Sequence, residues 1–219
     1  LAEKLIALLV EKLTGEYFLA DRLSTYFMGS SLHQINHMTK TNEQYDAVIV
    51  SCQNVFFKKN KDYGTAWRVL RTISIVDQLY IKAQRIRTIQ EKQQQMIADD
   101  IAGEFLGIIN YSVIGLIQLE LPSDAPWDLP SNQVEEAYKK HIADTKNLMQ
   151  SKNHDYGEAW RSMSQEGLTD LILMKLFRIR QILTNDGKTL ISEGIDANYH
   201  DIINYSVFAL ILDSESGNK

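Results

Sequence analysis

One ten-residue segment occurs twice in this chain, 93 residues apart. Lys59-Asn60-Lys61-Asp62-Tyr63-Gly64-Thr65-Ala66-Trp67-Arg68 returns as Lys152-Asn153-His154-Asp155-Tyr156-Gly157-Glu158-Ala159-Trp160-Arg161, changed only at Lys61/His154 and Thr65/Glu158. The likeness continues through Asp77/Asp170, Lys82/Lys175 and Arg85-Ile86-Arg87/Arg178-Ile179-Arg180. After a slip of one residue, Ile108-Ile109-Asn110-Tyr111-Ser112-Val113 reappears as Ile202-Ile203-Asn204-Tyr205-Ser206-Val207. A solenoid needs at least three stacked modules, so two long copies point elsewhere. The chain is expected to fold as two similar units fused about a pseudo-two-fold axis.

The apolar spacing inside each unit is helical. Val48, Cys52, Val55 and Phe56 stand at i, i+4, i+7 and i+8, and Ile75, Leu79, Ile86 and Ile89 form a similar stripe with Lys82 interrupting it. Residues 101–119 and 195–212 are apolar on most faces, which marks central helices. Glycine follows Asp62-Tyr63 and Asp155-Tyr156 where a helix would end. No period-2 strand pattern occurs, so the fold class is all-α, two tandem helical repeats forming a bundle. All three prolines lie between Pro122 and Pro130, and proline cannot donate to a helix ladder. The division is therefore 39–121 for the first repeat, 122–132 for a Pro-rich linker, 133–213 for the second repeat and 214–219 for a tail. Residues 1–38 have no counterpart in the repeat; they read either as a helical extension, with helices over Leu1–Leu13 and Tyr17–Phe27, or as a leader preceding Met38.

Bulk chemistry excludes several classes. A net charge of −5 among 219 residues argues against a nucleic-acid binder, which needs a basic face to displace counterions. The lone Cys52, among Val48, Ile49 and Phe56, reads as a buried thiol and suits a reducing cytoplasm. No run of about 18 apolar residues is present, so no membrane partner is expected. Sequence patterns for a P-loop, a dinucleotide-binding turn and a serine-hydrolase elbow are all missing.

The strongest acidic constellation is Glu193, Asp196 and Asp201, opening and entering the last apolar helix. Asn204 and Tyr205 follow Asp201 at i+3 and i+4 on one side. A carboxylate in so apolar a helix is costly unless it is charge-paired or metal-bound. Mg²⁺ would take such oxygens together with waters and phosphates. The alternative is that Asp196 caps the helix and Asp201 pairs with a cation. Basic residues recur at matched spacing, Lys175 and Arg178 in one repeat and Lys82 and Arg85 in the other. They suit the grip of a phosphate chain, or equally the neutralisation of Asp77, Asp170 or Asp201. The Asp-Tyr-Gly turn has two readings as well. Glycine for positive φ, tryptophan as a core plug and aspartate as a cap would make it structural. Asp155, Tyr156 and Arg161 lining a substrate would make it functional.

These motifs, taken together over residues 45–212, resemble a bacterial and phage family of unknown function called the nucleotide-modification-associated domain, in duplicated form. The last helix alone is similar to the acidic helix of all-α nucleoside triphosphate pyrophosphatases (MazG and dimeric dUTPase relatives). The resemblance implies a helical bundle that handles a nucleotide or other phosphorylated small molecule. It further implies Mg²⁺-dependent release of pyrophosphate, with Glu193, Asp196 and Asp201 on the metal and Lys175, Arg178 and Arg161 on the phosphates. A homo-oligomer is a further expectation. Two departures stand out. The second acidic cluster of the pyrophosphatases has no counterpart, and Asp201 and Asp196 are matched in the first repeat by Gly107 and Ala102. Asp99 stands opposite Glu193, and Glu104 is the only other nearby acid. The expectation is one site centred on the second repeat, with the first as its support or with Glu104 completing it from across the interface. A non-catalytic nucleotide-binding or protein-interaction bundle is the alternative.

Overall fold

The computed structural model describes residues 40–94, 100–185, 187–188 and 193–216. The expectations for residues 1–38, for Asp99 and for the end of the tail lie outside the described residues. The chain divides into two compact units, 1–43 and 44–219. Everything below concerns the second.

Each repeat is a long helix, a 3-10 turn and two further helices. The first contributes α1 (helical over 40–63), the turn Ala66–Val69, α2 (Thr72–Lys92) and α3 (Ile101–Glu120). The second contributes α4 (Ser131–Tyr156), the turn Ala159–Ser162, α5 (Gln165–Thr184) and α6 (Ile195–Ser216). No strand occurs among the described residues. The protein is all-α, as the spacing of its apolar residues predicts. Pro130 stands immediately before α4, so the irregular linker ends two residues earlier than expected.

Local sequence sets the helix ends. Gly64 (φ +57°) and Gly157 (φ +59°) take the left-handed conformation that ends α1 and α4, where a side chain would be strained. Asp100 accepts from the Gly103 amide at 2.7 Å and Ser164 from the Gly167 amide at 3.0 Å, capping α3 and α5. Asp62 and Asp155 do not act as caps, the role that one of the two readings of the turn gives them. Both still lie in the last turn of a helix, where the backbone presents carbonyls and a carboxylate has no amide to accept from.

Helices α2, α3, α5 and α6 form a four-helix core in which equivalent helices meet, α3 on α6 and α2 on α5, while α4 lies over α3 and α6. Reciprocal polar contacts trace the pseudo-two-fold axis. Arg180 donates to Asp77 at 2.8 Å, and the equivalent Arg87 stands 3.7 Å from Asp170. The buried asparagines of the central helices do the same. Asn110 accepts from Tyr138 at 2.8 Å and donates to the Cys52 carbonyl at 3.1 Å. Asn204 accepts from Tyr45 at 3.0 Å and donates to the Thr145 carbonyl at 3.3 Å. Each asparagine thus binds its own repeat's outer helix by one bond and the other repeat's by another. Where α3 meets α6 the helices come close, because a Cβ on Gly115 would stand 2.7 Å from the buried Tyr199 ring.

The linker is strapped to the first repeat. Thr65 donates to the Trp127 carbonyl at 2.7 Å and accepts from the Leu129 amide at 3.0 Å. Arg68 reaches the Ala125 carbonyl at 3.1 Å. Cys52 is fully buried, and burial pushes its thiol up to about 12. By length and composition α3 is apolar enough to cross a membrane, but more than half of that stretch is buried inside the bundle.

Candidate functional site

The acidic helix of the second repeat is organised around a charge cluster. Asp201, only 4 % exposed, accepts from Lys152 through Oδ1 at 2.6 Å and from Lys175 through Oδ2 at 2.5 Å. Burial alone would raise its carboxyl, but the hydrogen bonds and charges of the two lysines outweigh that and hold it below the ordinary value. Lys175 is buried with it. Both oxygens of Asp201 are therefore engaged by cations of its own chain.

The other residues singled out in this repeat do not join it. Glu193 and Asp196 are exposed at the start of α6. Asp155 and Tyr156 face solvent, Asp155 beside His154 at 3.1 Å. Arg178 is exposed and forms no ion pair among the described residues. Asn204 is committed to the core contacts above. Arg161 stacks 4.4 Å over Trp160 and bonds Glu158 at 2.8 Å, Glu215 at 3.2 Å and Gln44 at 2.9 Å, fastening the turn to α6 and α1. That network holds Arg161 away from the Asp201 cluster.

Glu104 does not cross the interface. It binds Lys82 at 3.0 Å and Arg85, both in its own repeat. Burial raises its carboxyl, and these two cations more than offset the rise, leaving it below the ordinary value. Glu104 and Asp201 thus perform one task from positions one turn apart, since the residue matching Glu104 is Asn198. A resident Mg²⁺ does not fit these donors. The acids that would hold it are either saturated by cations or dispersed in solvent, and among the described residues no three His, Cys, Asp or Glu side chains gather around a common point.

A cavity at the equivalent place lies in the first repeat. About 500 Å³ opens between α1, the 3-10 turn, α2 and α3. The duplicated segment supplies Lys59, Asn60, Tyr63, Gly64, Ala66 and Trp67 to its wall. Gln78 and Lys82 come from α2, and Gly103, Gly107, Asn110 and Tyr111 from α3, with Ile114 behind them. Tyr63 is 70 % exposed at the rim, whereas Asn60 is buried and its Oδ1 has no hydrogen-bond partner among the described residues. An unpaired buried acceptor is uncommon and calls for a partner such as a water, an ion or a ligand.

Three substitutions explain why the second repeat differs. Gly103, Gly107 and Ile114 are matched by Ala197, Asp201 and Phe208. Phe208 stacks on Trp160 with ring centroids 4.2 Å apart and planes 4° from parallel, and Trp160 is 6 % exposed. The equivalent Trp67 is half-buried and lines the cavity. Each change puts a larger side chain into the second copy. Lys59, Asn60, Trp67 and Gly107 line this cavity but carry no carboxylate to mark them in the sequence, whereas Tyr63 is legible there as a ring able to stack on a base. The size differences at 103/197, 107/201 and 114/208 are the signal the sequence does hold.

The sequence profile described as nucleotide modification associated domain 1 matches residues 59–119 and again residues 152–212. The chain belongs to this family. No curated protein and no solved structure matches the chain. Both matched spans begin at the lysine of the duplicated segment, Lys59 and Lys152, and run through the last helix. In the first span this family segment walls the cavity; in the second it encloses the Lys152–Asp201–Lys175 cluster.

Proposed function

We propose that the protein is a nucleotide-binding helical bundle whose ligand enters the cavity of the first repeat, with the second repeat as its structural partner. The observation that carries this is the wall of that cavity, to which the duplicated segment and α3 contribute equally. Its volume lies within the range of small-molecule sites. Tyr63, Trp67 and Tyr111 present aromatic faces on which a base can stack, and Lys59 and Lys82 present cations. Asn60 and Asn110 add polar edges. Family membership supports the same ligand class. Release of pyrophosphate from a triphosphate, expected from the pyrophosphatase resemblance, draws no support from Asp201 and Glu104 as they stand, since each is neutralised by two cations.

Calorimetric titration of the full chain with the deoxynucleosides and their phosphates tests this reading. Binding is expected in the micromolar to millimolar range, and Tyr63→Ala should weaken it without affecting folding, because that ring is largely exposed. Ile114→Phe, which copies the second repeat, should abolish it. A folded wild type that binds no nucleoside or nucleotide at millimolar concentration would defeat the proposal. So would an Ile114→Phe variant that binds as the wild type does.

A further inference from the structure

The second repeat shows what the first lacks. There, one carboxylate on α6 receives two lysines, one from α4 and one from α5. In the first repeat the equivalent lysines are Lys59 and Lys82, and the carboxylate position is Gly107. All three line the cavity. The Lys82 side chain lies directly on the glycine, its Cε 3.0 Å and its Nζ 3.2 Å from where a Cβ would stand. Lys59, equivalent to the lysine that grips Asp201, forms no ion pair among the described residues.

Resting on the nucleotide reading above, we infer that the space over Gly107 receives a phosphoryl group of the ligand, with Lys59 and Lys82 as its counter-ions. Asp201 is the built-in occupant of the same position in the second repeat. The charges agree with this. Lys59 brings a positive charge that no ion pair takes up among the described residues, and Lys82 brings a second that Glu104 shares with Arg85. A phosphoryl group supplies the negative charge and acceptor oxygens that such cations take. The ligand class is a nucleoside phosphate, with the base toward Tyr63 and Trp67 and the phosphoryl group over Gly107. Glycine at 107 is what admits that group: a side chain there would crowd its place, and an acidic one would recruit both lysines, as Asp201 does.

Isothermal titration at low ionic strength with each deoxynucleoside and its 5′-monophosphate tests this in the wild type, Lys59→Gln and Gly107→Asp. The wild type is expected to prefer the monophosphate by roughly ten-fold or more, the scale of one charge-assisted contact. Both variants should lose that preference while still binding the nucleoside. Lys59 is exposed, so its variant folds and carries the test even if Gly107→Asp does not. Equal affinity of wild type for nucleoside and monophosphate would overturn the phosphoryl position and leave the nucleotide cavity standing. A preference that survives in both variants would do the same. Failure of the wild type to bind either ligand removes the cavity reading itself, and this inference with it.

Discussion

Tyr138 and Asn110 meet across the boundary between the repeats, the phenol of one donating at 2.8 Å to the amide oxygen of the other in a fully packed interior. Tyr45 and Asn204 repeat the contact with the roles of the repeats exchanged. Burial pushes both phenols above their ordinary range, so they are donors at any physiological pH. Replacing either tyrosine by phenylalanine leaves a buried acceptor unsatisfied and should cost about 1–3 kcal/mol in denaturant unfolding. The two losses should add, as they involve different partners. Losses within about 0.5 kcal/mol of zero, the range of ordinary surface substitutions, would show that these bonds do not hold the repeats together.

Asp201→Ala leaves Lys175 buried without its carboxylate. Removing one member of a buried ion pair costs about 3–5 kcal/mol, because the remaining charge stays desolvated. Lys175→Met combined with Asp201→Leu removes both charges and should recover most of that loss. Thermal denaturation of the two variants reads the difference. A single variant as stable as the wild type would contradict the burial and pairing described.

Acid should weaken the fold in two stages. Burial lowers His141 and His200 below their ordinary 6.5, so both stay neutral in the folded chain while the unfolded chain takes up protons. Stability is then full above 6.5 and falls as pH drops toward the folded values. His141 Nε2 lies 3.4 Å from Glu120, within ion-pair reach but without hydrogen-bond geometry, and burial outweighs that attraction. The second stage begins as pH falls into the ordinary carboxylate range, where the unfolded chain takes up protons first. Asp201 and Glu104, held low by their cations, contribute stability that is lost as pH falls through their folded values. Urea midpoints measured from pH 8 to pH 3 should show both steps, and replacing His141 and His200 by glutamine should flatten only the first. A first step that persists in the double variant would assign it to other groups.

Gly115→Ala places a methyl 2.7 Å from the buried Tyr199 ring at the crossing of α3 and α6. Neither helix can yield without disturbing the core, so a loss of about 1–3 kcal/mol is expected despite alanine's better helix propensity. A gain in melting temperature would mean that the crossing is looser than drawn.

The duplication, the helices, the Gly64 and Gly157 turns and the proline linker were all legible, because each is written in residues adjacent along the chain. The candidate site is less legible. Asp201 reads from the sequence as a carboxylate in need of compensation, by a metal or by a basic residue. The partner that settled its role, Lys152, lies 49 residues away on another helix, and sequence spacing does not report that approach. Arg161 looked free for a ligand because Glu215 and Gln44, which engage it, are still more remote. The cavity was invisible for a different reason: it arises from what Gly107, Gly103 and Ile114 do not fill, and a search for functional groups passes over missing ones.

Joining two copies in one chain also changes what substitution can do. Where identical chains pair about a symmetry axis, every replacement is made twice, and an aspartate that braces one half would be forced into the other. The continuous chain through the 122–130 linker lifts that coupling. Position 107 retains glycine while position 201 carries aspartate, and isoleucine and phenylalanine coexist at 114 and 208. The interlocked asparagines keep the halves in register, so openness and rigidity are assigned to separate halves of one polypeptide in a fixed one-to-one ratio.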